Sequence, residues 1–145
     1  MTYKDKSNQS GDISEKAIEL DLIVKGYVVL TPSSRDTVYD YVVDTGKGKF
    51  VTIQCKTMSG NSITKIVDRS GEIVSKNGKT RNSLDYAKEG IDYLVGVNKK
   101  SEVFYYKHET YSKIPGKSFS GNKYPQDGFP SRKVPSRHAK KRRET

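Results

Sequence analysis

Asp40 and, fourteen residues later, the triplet Gln54-Cys55-Lys56 stand at a spacing that suits phosphodiester hydrolysis. Side chains alternate along a strand, so Gln54 and Lys56 share one face, roughly 7 Å apart, while Ile53 and Cys55 point to an apolar side. Asp40, on a neighbouring antiparallel strand, can converge with them. A carboxylate is a hard ligand for Mg²⁺, which prefers octahedral oxygen coordination and keeps several waters. The Gln54 amide oxygen can complete such a shell or orient a water. The ion would acidify a water and offset charge on the phosphate. Lys56 would position the attacking water and balance the growing negative charge. As a bare string, Asp followed loosely by Gln-x-Lys is common, and its usual meaning is an ordinary surface. What raises its interest is that all three residues fall on segments that read as strands.

Those segments have to place the three side chains. Ile13, Ala17, Leu20 and Val24 recur at helical spacing, with Ile18 and Leu22 widening the stripe. Asp12 is the expected N-cap and Gly26 the expected stop. Residues 1–10 are polar and read as a frayed start. Tyr27 to Leu30 reads as a buried strand, Thr37 to Asp44 as a second, and Phe50 to Thr57 as a third, joined to the second by the turn Gly46-Lys47-Gly48-Lys49. A polar insert over 59–83 carries Lys65, Arg69, Lys76, Lys79 and Arg81 among thin strand-like patches. A short helix is expected over 83–89, then strands over 91–97 and 102–107. After Ile114 the apolar periodicity ends, and 113–145 reads as a Gly/Pro-rich loop or arm. The order implies an α/β or α+β domain with a mixed central sheet and a helix on one face.

The chain has 145 residues and a net charge of +10, which suits one domain with a modest core. The charge is uneven: 113–145 holds ten Lys/Arg against two acids, leaving the rest nearly neutral. A cationic end, with Lys140-Lys141-Arg142-Arg143 near its tip, points to a polyanion, and nucleic acid is the commonest one. A merely solubilising tail is the plain alternative. The single Cys55 excludes an internal disulfide and a multi-cysteine zinc site. No apolar run reaches the length of a membrane helix and the start has no hydrophobic signal segment, so a soluble, cytoplasmic protein is expected.

The arrangement resembles the PD-(D/E)xK nuclease superfamily. Its members place an acidic residue on a helix, an Asp on one strand and (Glu/Gln)-x-Lys on the next. Here those positions carry Glu15 in Gly11-Asp12-Ile13-Ser14-Glu15, then Tyr39-Asp40, then Gln54-Cys55-Lys56-Thr57. The later segment Ile91-Asp92-Tyr93-Leu94-Val95 is similar to the strand that follows the core, and the likeness spans about Gly11 to Lys107. Its small size and Gln-x-Lys variant look most like the homing endonucleases of cyanobacterial and phage introns, while archaeal-type Holliday junction resolvases are similar in outline. The resemblance implies a restriction-endonuclease-like core over 11–112, with Asp40, Gln54 and Glu15 as metal ligands and Lys56 as the fourth catalytic residue. It also implies Mg²⁺, replaceable by Mn²⁺. Two departures stand out: Gln54 removes a negative charge from the usual triplet, and Tyr39 precedes Asp40 in place of Pro. Glu15 has a second reading, because Asp12-x-x-Glu15 is also a capping-box pattern.

Other nuclease chemistries fit less well. The only histidines are His108 and His138, too few and too separated for a paired-histidine site, and no Walker-type phosphate loop is present. The expected partner is double-stranded DNA. One site per chain implies a homodimer or homotetramer for cutting both strands. The 59–83 insert is the expected DNA-reading ribbon, since two strands fit the major groove. A non-catalytic basic DNA-binding protein is the remaining alternative.

Overall fold

One long helix packs across a sheet built from the Val- and Tyr-rich runs. The computed structural model describes residues 2–34, 36–69 and 82–132. Helix α1 spans Lys6–Val24, and the Asp5 carboxylate caps it by accepting from the Ser7 N–H at 2.8 Å. The helix therefore begins about two turns before the expected cap at Asp12. Ser, Asn and Gly at 7–11 suggest a loop, but once Asp5 satisfies a first-turn amide they continue the helix. Its end is as expected: Gly26 takes φ 96°, and Gly26 and Tyr27 donate back to the Ile23 and Leu22 carbonyls at 2.9 and 3.0 Å. That pair of bonds is a Schellman ending.

The strands are β1 (Val28–Leu30), β2 (Tyr41–Gly46), β3 (Lys49–Thr57), β4 (Ser62–Thr64), β5 (Ile66–Arg69), β6 (Asn82–Asp85), β7 (Tyr93–Val97), β8 (Val103–Lys107) and β9 (Ser118–Ser120). Helix α2, His108–Tyr111, is a single turn between the last two. The central sheet runs β1-β2-β3-β7-β8, with β3 and β7 parallel and its other pairs antiparallel. β4 pairs with β9, and β5 with β6, as separate two-stranded ribbons. The mixed α+β architecture follows the sequence reading.

Several elements differ. β1 is an edge strand with Val28 and Leu30 exposed, not a buried one. β2 starts at Tyr41, although the Asp40 N–H extends the pairing by donating to Ile53 O at 2.8 Å. The helix expected over 83–89 is β6 followed by a turn, because Asp85 Oδ1 accepts from the Ala87 N–H and folds the chain locally.

The core lies on both faces of the sheet. On one, Ile18 and Leu22 of α1 pack on Tyr41, Val43, Ile53, Cys55, Val95 and Tyr105. On the other, Leu94 and Tyr106 meet Met58, Ile63, Tyr86 and Phe119. Ile13, Leu20 and Val24 are exposed, so the buried stripe of α1 is Ser14-Ile18-Leu22. Apolar residues stand on two sides of this helix, and spacing alone cannot choose between them. Ser14 joins the buried side because its hydroxyl is satisfied by that of Thr57 at 2.7 Å. At Gly96 an added Cβ would lie 2.7 Å from Met58 Cγ and 2.8 Å from Ile63 Cδ1, so a side chain here would force Met58 and Ile63 to shift.

Residues 113–132 belong to this packed body, which corrects the expectation of an arm starting at Lys113. Phe119 and Phe129 are buried, and Phe129 meets Tyr27, Tyr93 and Tyr105 at ring distances of 4.8, 4.8 and 5.1 Å. Gln126 and Asp127 accept the Tyr105 and Lys107 N–H groups along the outer edge of β8. The segment thereby covers an edge that would otherwise be open. Single aromatic anchors between Gly and Pro carry no periodicity, which is why the sequence pattern misses them. Among the described residues no helix is long and apolar enough to cross a membrane.

Candidate active site

Asp40 is fastened to β3 on both sides of Gln54. Its N–H donates to Ile53 O, and its Oδ2 accepts from the Cys55 N–H, each at 2.8 Å. The residue before β2 is thus pinned directly beside the Gln54-x-Lys56 triplet. Burial pushes the Asp40 carboxyl above its ordinary range, opposed by the Cys55 amide and by the positive charge of Lys56.

Glu15 approaches from α1. Tyr41 donates its hydroxyl to the Glu15 carbonyl at 3.2 Å, and the Ser14–Thr57 hydroxyl pair ties the adjacent residue to β3. Because α1 begins at Lys6, Glu15 lies in mid-helix and the capping-box reading is excluded. Burial raises the Glu15 carboxyl first, and the charges of Asp40 and Asp12 raise it further. Both carboxylates line a cavity of about 700 Å³ together with Tyr3, Asp12, Thr37 and Tyr39.

Gln54 and Lys56 do not line that cavity. Gln54 is buried on the face away from α1, and its Nε2 donates to the Cys55 carbonyl at 3.3 Å. Lys56 is half-buried on the same face, its Nζ 4.7 Å from the centre of the Tyr86 ring. Cys55 points toward α1, and burial holds its thiol well above the usual range, so it stays neutral and contributes its amide rather than its sulfur. Asp12 was not read as a cavity residue. Its place three residues before Glu15 on one helix face was the available signal.

Among the described residues no three His, Cys, Asp or Glu side chains are gathered to hold a metal ion by themselves. The donor set nevertheless fits a hard divalent cation that keeps most of its waters. Both carboxyls are raised, chiefly by burial, and the charge of Asp40 adds to the rise of Glu15, a cost that a cation between them would relieve.

The candidate DNA contacts divide sharply. Lys65 is only 5% exposed, and its ammonium donates to the Tyr111 and Ile114 carbonyls, so the expectation that it reaches DNA is corrected. It satisfies buried carbonyls at and just beyond the end of α2 instead. Arg69 closes the β5 strand of the β5–β6 ribbon. Lys76, Lys79, Arg81, Lys140, Lys141, Arg142 and Arg143 lie outside the described residues.

The family model for PD-(D/E)XK endonucleases matches residues 5–114. No curated protein matches the chain. Among solved structures it is similar to the bacterial homing endonuclease I-Ssp6803I, at 20% identity and TM-score 0.51, over 78% of this chain and 73% of that one. It is also similar to Hjc, a Holliday junction resolvase from the archaeal hyperthermophile Archaeoglobus fulgidus, at 12% identity and TM-score 0.51, over 79% and 87%. Both likenesses concern the fold.

Proposed function

Because the chain belongs to the PD-(D/E)XK endonuclease family, we propose that it is a divalent-metal-dependent endonuclease that cuts double-stranded DNA at a specific site, in the manner of a homing endonuclease. The observation that carries this reading is the double attachment of Asp40 across β3 beside Gln54, with Glu15 facing the same cavity. Asp40 and Glu15 would hold Mg²⁺, with Mn²⁺ as substitute. The Gln54 amide, its nitrogen occupied by the Cys55 carbonyl, offers its oxygen. When bound, the ion supplies an acidified water and Lewis-acid polarisation of the phosphate. Lys56 orients the attacking water and balances the charge that grows on the phosphoryl oxygens. Cys55, through its amide, keeps Asp40 in register.

The two-stranded β5–β6 ribbon supports groove reading, since a β-ribbon fits the major groove. One site per chain and two strands to cut call for a two-fold homodimer, or a tetramer built from such dimers. The test is cleavage of a duplex library and of a four-way junction with Mg²⁺, Mn²⁺ or EDTA, with Asp40→Asn and Lys56→Ala as controls. Metal-dependent cutting at one mapped duplex sequence supports the proposal. Junction-restricted cutting would assign a resolvase instead. DNA binding without cutting in either metal would leave a non-catalytic binder and end the enzymatic reading.

A further inference from the structure

A lysine that must support a developing phosphate charge needs a seat, because its four-carbon stem is flexible. The Lys56 ammonium lies 4.7 Å from the centre of the Tyr86 ring. That ring is 3% exposed and packs in the core on the sheet face opposite α1. Its backbone is held at both ends: the Tyr86 N–H donates to Lys65 O at 3.3 Å, and Tyr86 O accepts from Ile91 N at 3.1 Å. Lys65 is in turn clamped by the Tyr111 and Ile114 carbonyls. The ring is therefore a fixed object against which the Lys56 ammonium rests.

We infer that Tyr86 is a positioning residue for Lys56, holding the ammonium by its ring face in the place where it acts on the scissile phosphate. The inference rests on the nuclease reading above. Its physical sense lies in the kind of attraction. An aromatic face attracts the cation through its quadrupole and leaves the net charge intact. Tyr86 directly follows β6, so the seat belongs to the same stretch of backbone as the β5–β6 ribbon.

The experiment replaces residue 86 by Phe, 4-fluorophenylalanine, 3,4,5-trifluorophenylalanine and Leu in the full-length protein. Fluorination weakens the ring's attraction for a cation at nearly constant shape. The expected result is a graded fall in single-turnover cleavage rate. It should reach about 3- to 30-fold for Leu, with DNA affinity and melting temperature held along the fluorinated series. Tyr86→Phe should keep most of the cleavage. A second readout needs no activity: the Lys56 Hε resonances should be shifted upfield by the ring and move downfield in Tyr86→Leu. Equal rates across the fluorinated series overturn the inference, even if the resonances shift as expected. A fall in melting temperature that tracks the fall in rate also overturns it, assigning Tyr86 to the core alone. If wild-type protein cuts no DNA in Mg²⁺ or Mn²⁺ while the upfield shift is present, the nuclease reading has failed and takes the inference with it.

Discussion

Tyr41 donates its hydroxyl to the Glu15 carbonyl at 3.2 Å, binding the mid-point of α1 to the strand that begins one residue after Asp40. Two carboxylates from distant parts of the sequence thus share one frame, close enough for the charge of Asp40 to raise Glu15.

That crowding gives metal-free stability a definite pH dependence. Both groups are raised in the folded protein, so folding favours their protonated forms. Their contribution to stability is present below the unfolded values near about 4 and is lost as pH rises through the raised folded values. In EDTA, Glu15→Gln and Asp40→Asn should flatten this decline and melt above wild type at pH 7. If the proposed site holds Mg²⁺, the order reverses when it is added, because the wild type would then gain more stability from the ion than either variant. Denaturation in EDTA and in Mg²⁺ between pH 4 and 8 checks it. A wild-type curve parallel to both variants in EDTA would show that folding does not raise these carboxyls.

Gln54→Glu adds an acid beside Asp40. Gln54 is buried, so the new carboxylate should lower metal-free stability at pH 7 and raise affinity for divalent ions. Cleavage should persist and reach its half-maximum at lower Mg²⁺. Isothermal titration and a metal series on cleavage provide the comparison. Unchanged metal affinity would place Gln54 outside the coordination shell.

The mixed sheet was legible from the sequence because the β2–β3 hairpin and the β7 and β8 runs are rich in Val, Ile and Tyr and bounded by turn residues. The Gly-Lys-Gly-Lys turn between β2 and β3 forms as expected, with Asp44 Oδ1 accepting from the Gly46 N–H at 2.8 Å. The shared core-ward facing of Ile53 and Cys55 followed from alternation and their apolar character, and that side is the one α1 covers. What failed depended on information that periodicity does not hold. The phase of α1 was decided by a serine with a hydroxyl partner 43 residues away. The fate of Lys65 was decided by two carbonyls 46 and 49 residues away. Charge type suggests what a lysine can bind, but long-range packing decides what it reaches.

The Lys65 correction has its own test. Lys65→Met keeps the apolar stem but leaves the Tyr111 and Ile114 carbonyls without their donor. The cost should be about 1–3 kcal/mol of stability, with DNA affinity and its salt dependence unchanged below the melting transition. Urea denaturation and binding titrations separate the two effects. A weakened salt slope at unchanged stability would mean that Lys65 does contact phosphate.

Phe129 tests whether 113–132 is part of the domain. It is buried against Tyr27, Tyr93 and Tyr105. Phe129→Ala should cost about 3–5 kcal/mol, the range for truncating a buried aromatic side chain. A loss under about 0.5 kcal/mol, typical of a surface change, would return this segment to the status of an arm.

The last prediction separates the packed part of the tail from its charged end. Truncation after Ser136 removes Arg137, Lys140, Lys141, Arg142 and Arg143 but keeps Phe129 and Arg132. Arg132 donates its backbone N–H to Lys25 O at 2.7 Å, so the last described residue is still tied to the domain. The shortened protein should therefore melt at the wild-type temperature. Each base that neutralises a phosphate contributes about −0.9 to the slope of log affinity against log salt on duplex DNA. Loss of several such contacts should weaken binding and make the slope shallower, while the cut position stays fixed because phosphate contacts carry no sequence. Titrations of both lengths across a range of salt concentrations measure this, and cleavage mapping supplies the second readout. Identical affinities and slopes would show that these five bases do not touch DNA. A displaced cut site would show that they read sequence, and recognition would then be shared between the tail and the β5–β6 ribbon.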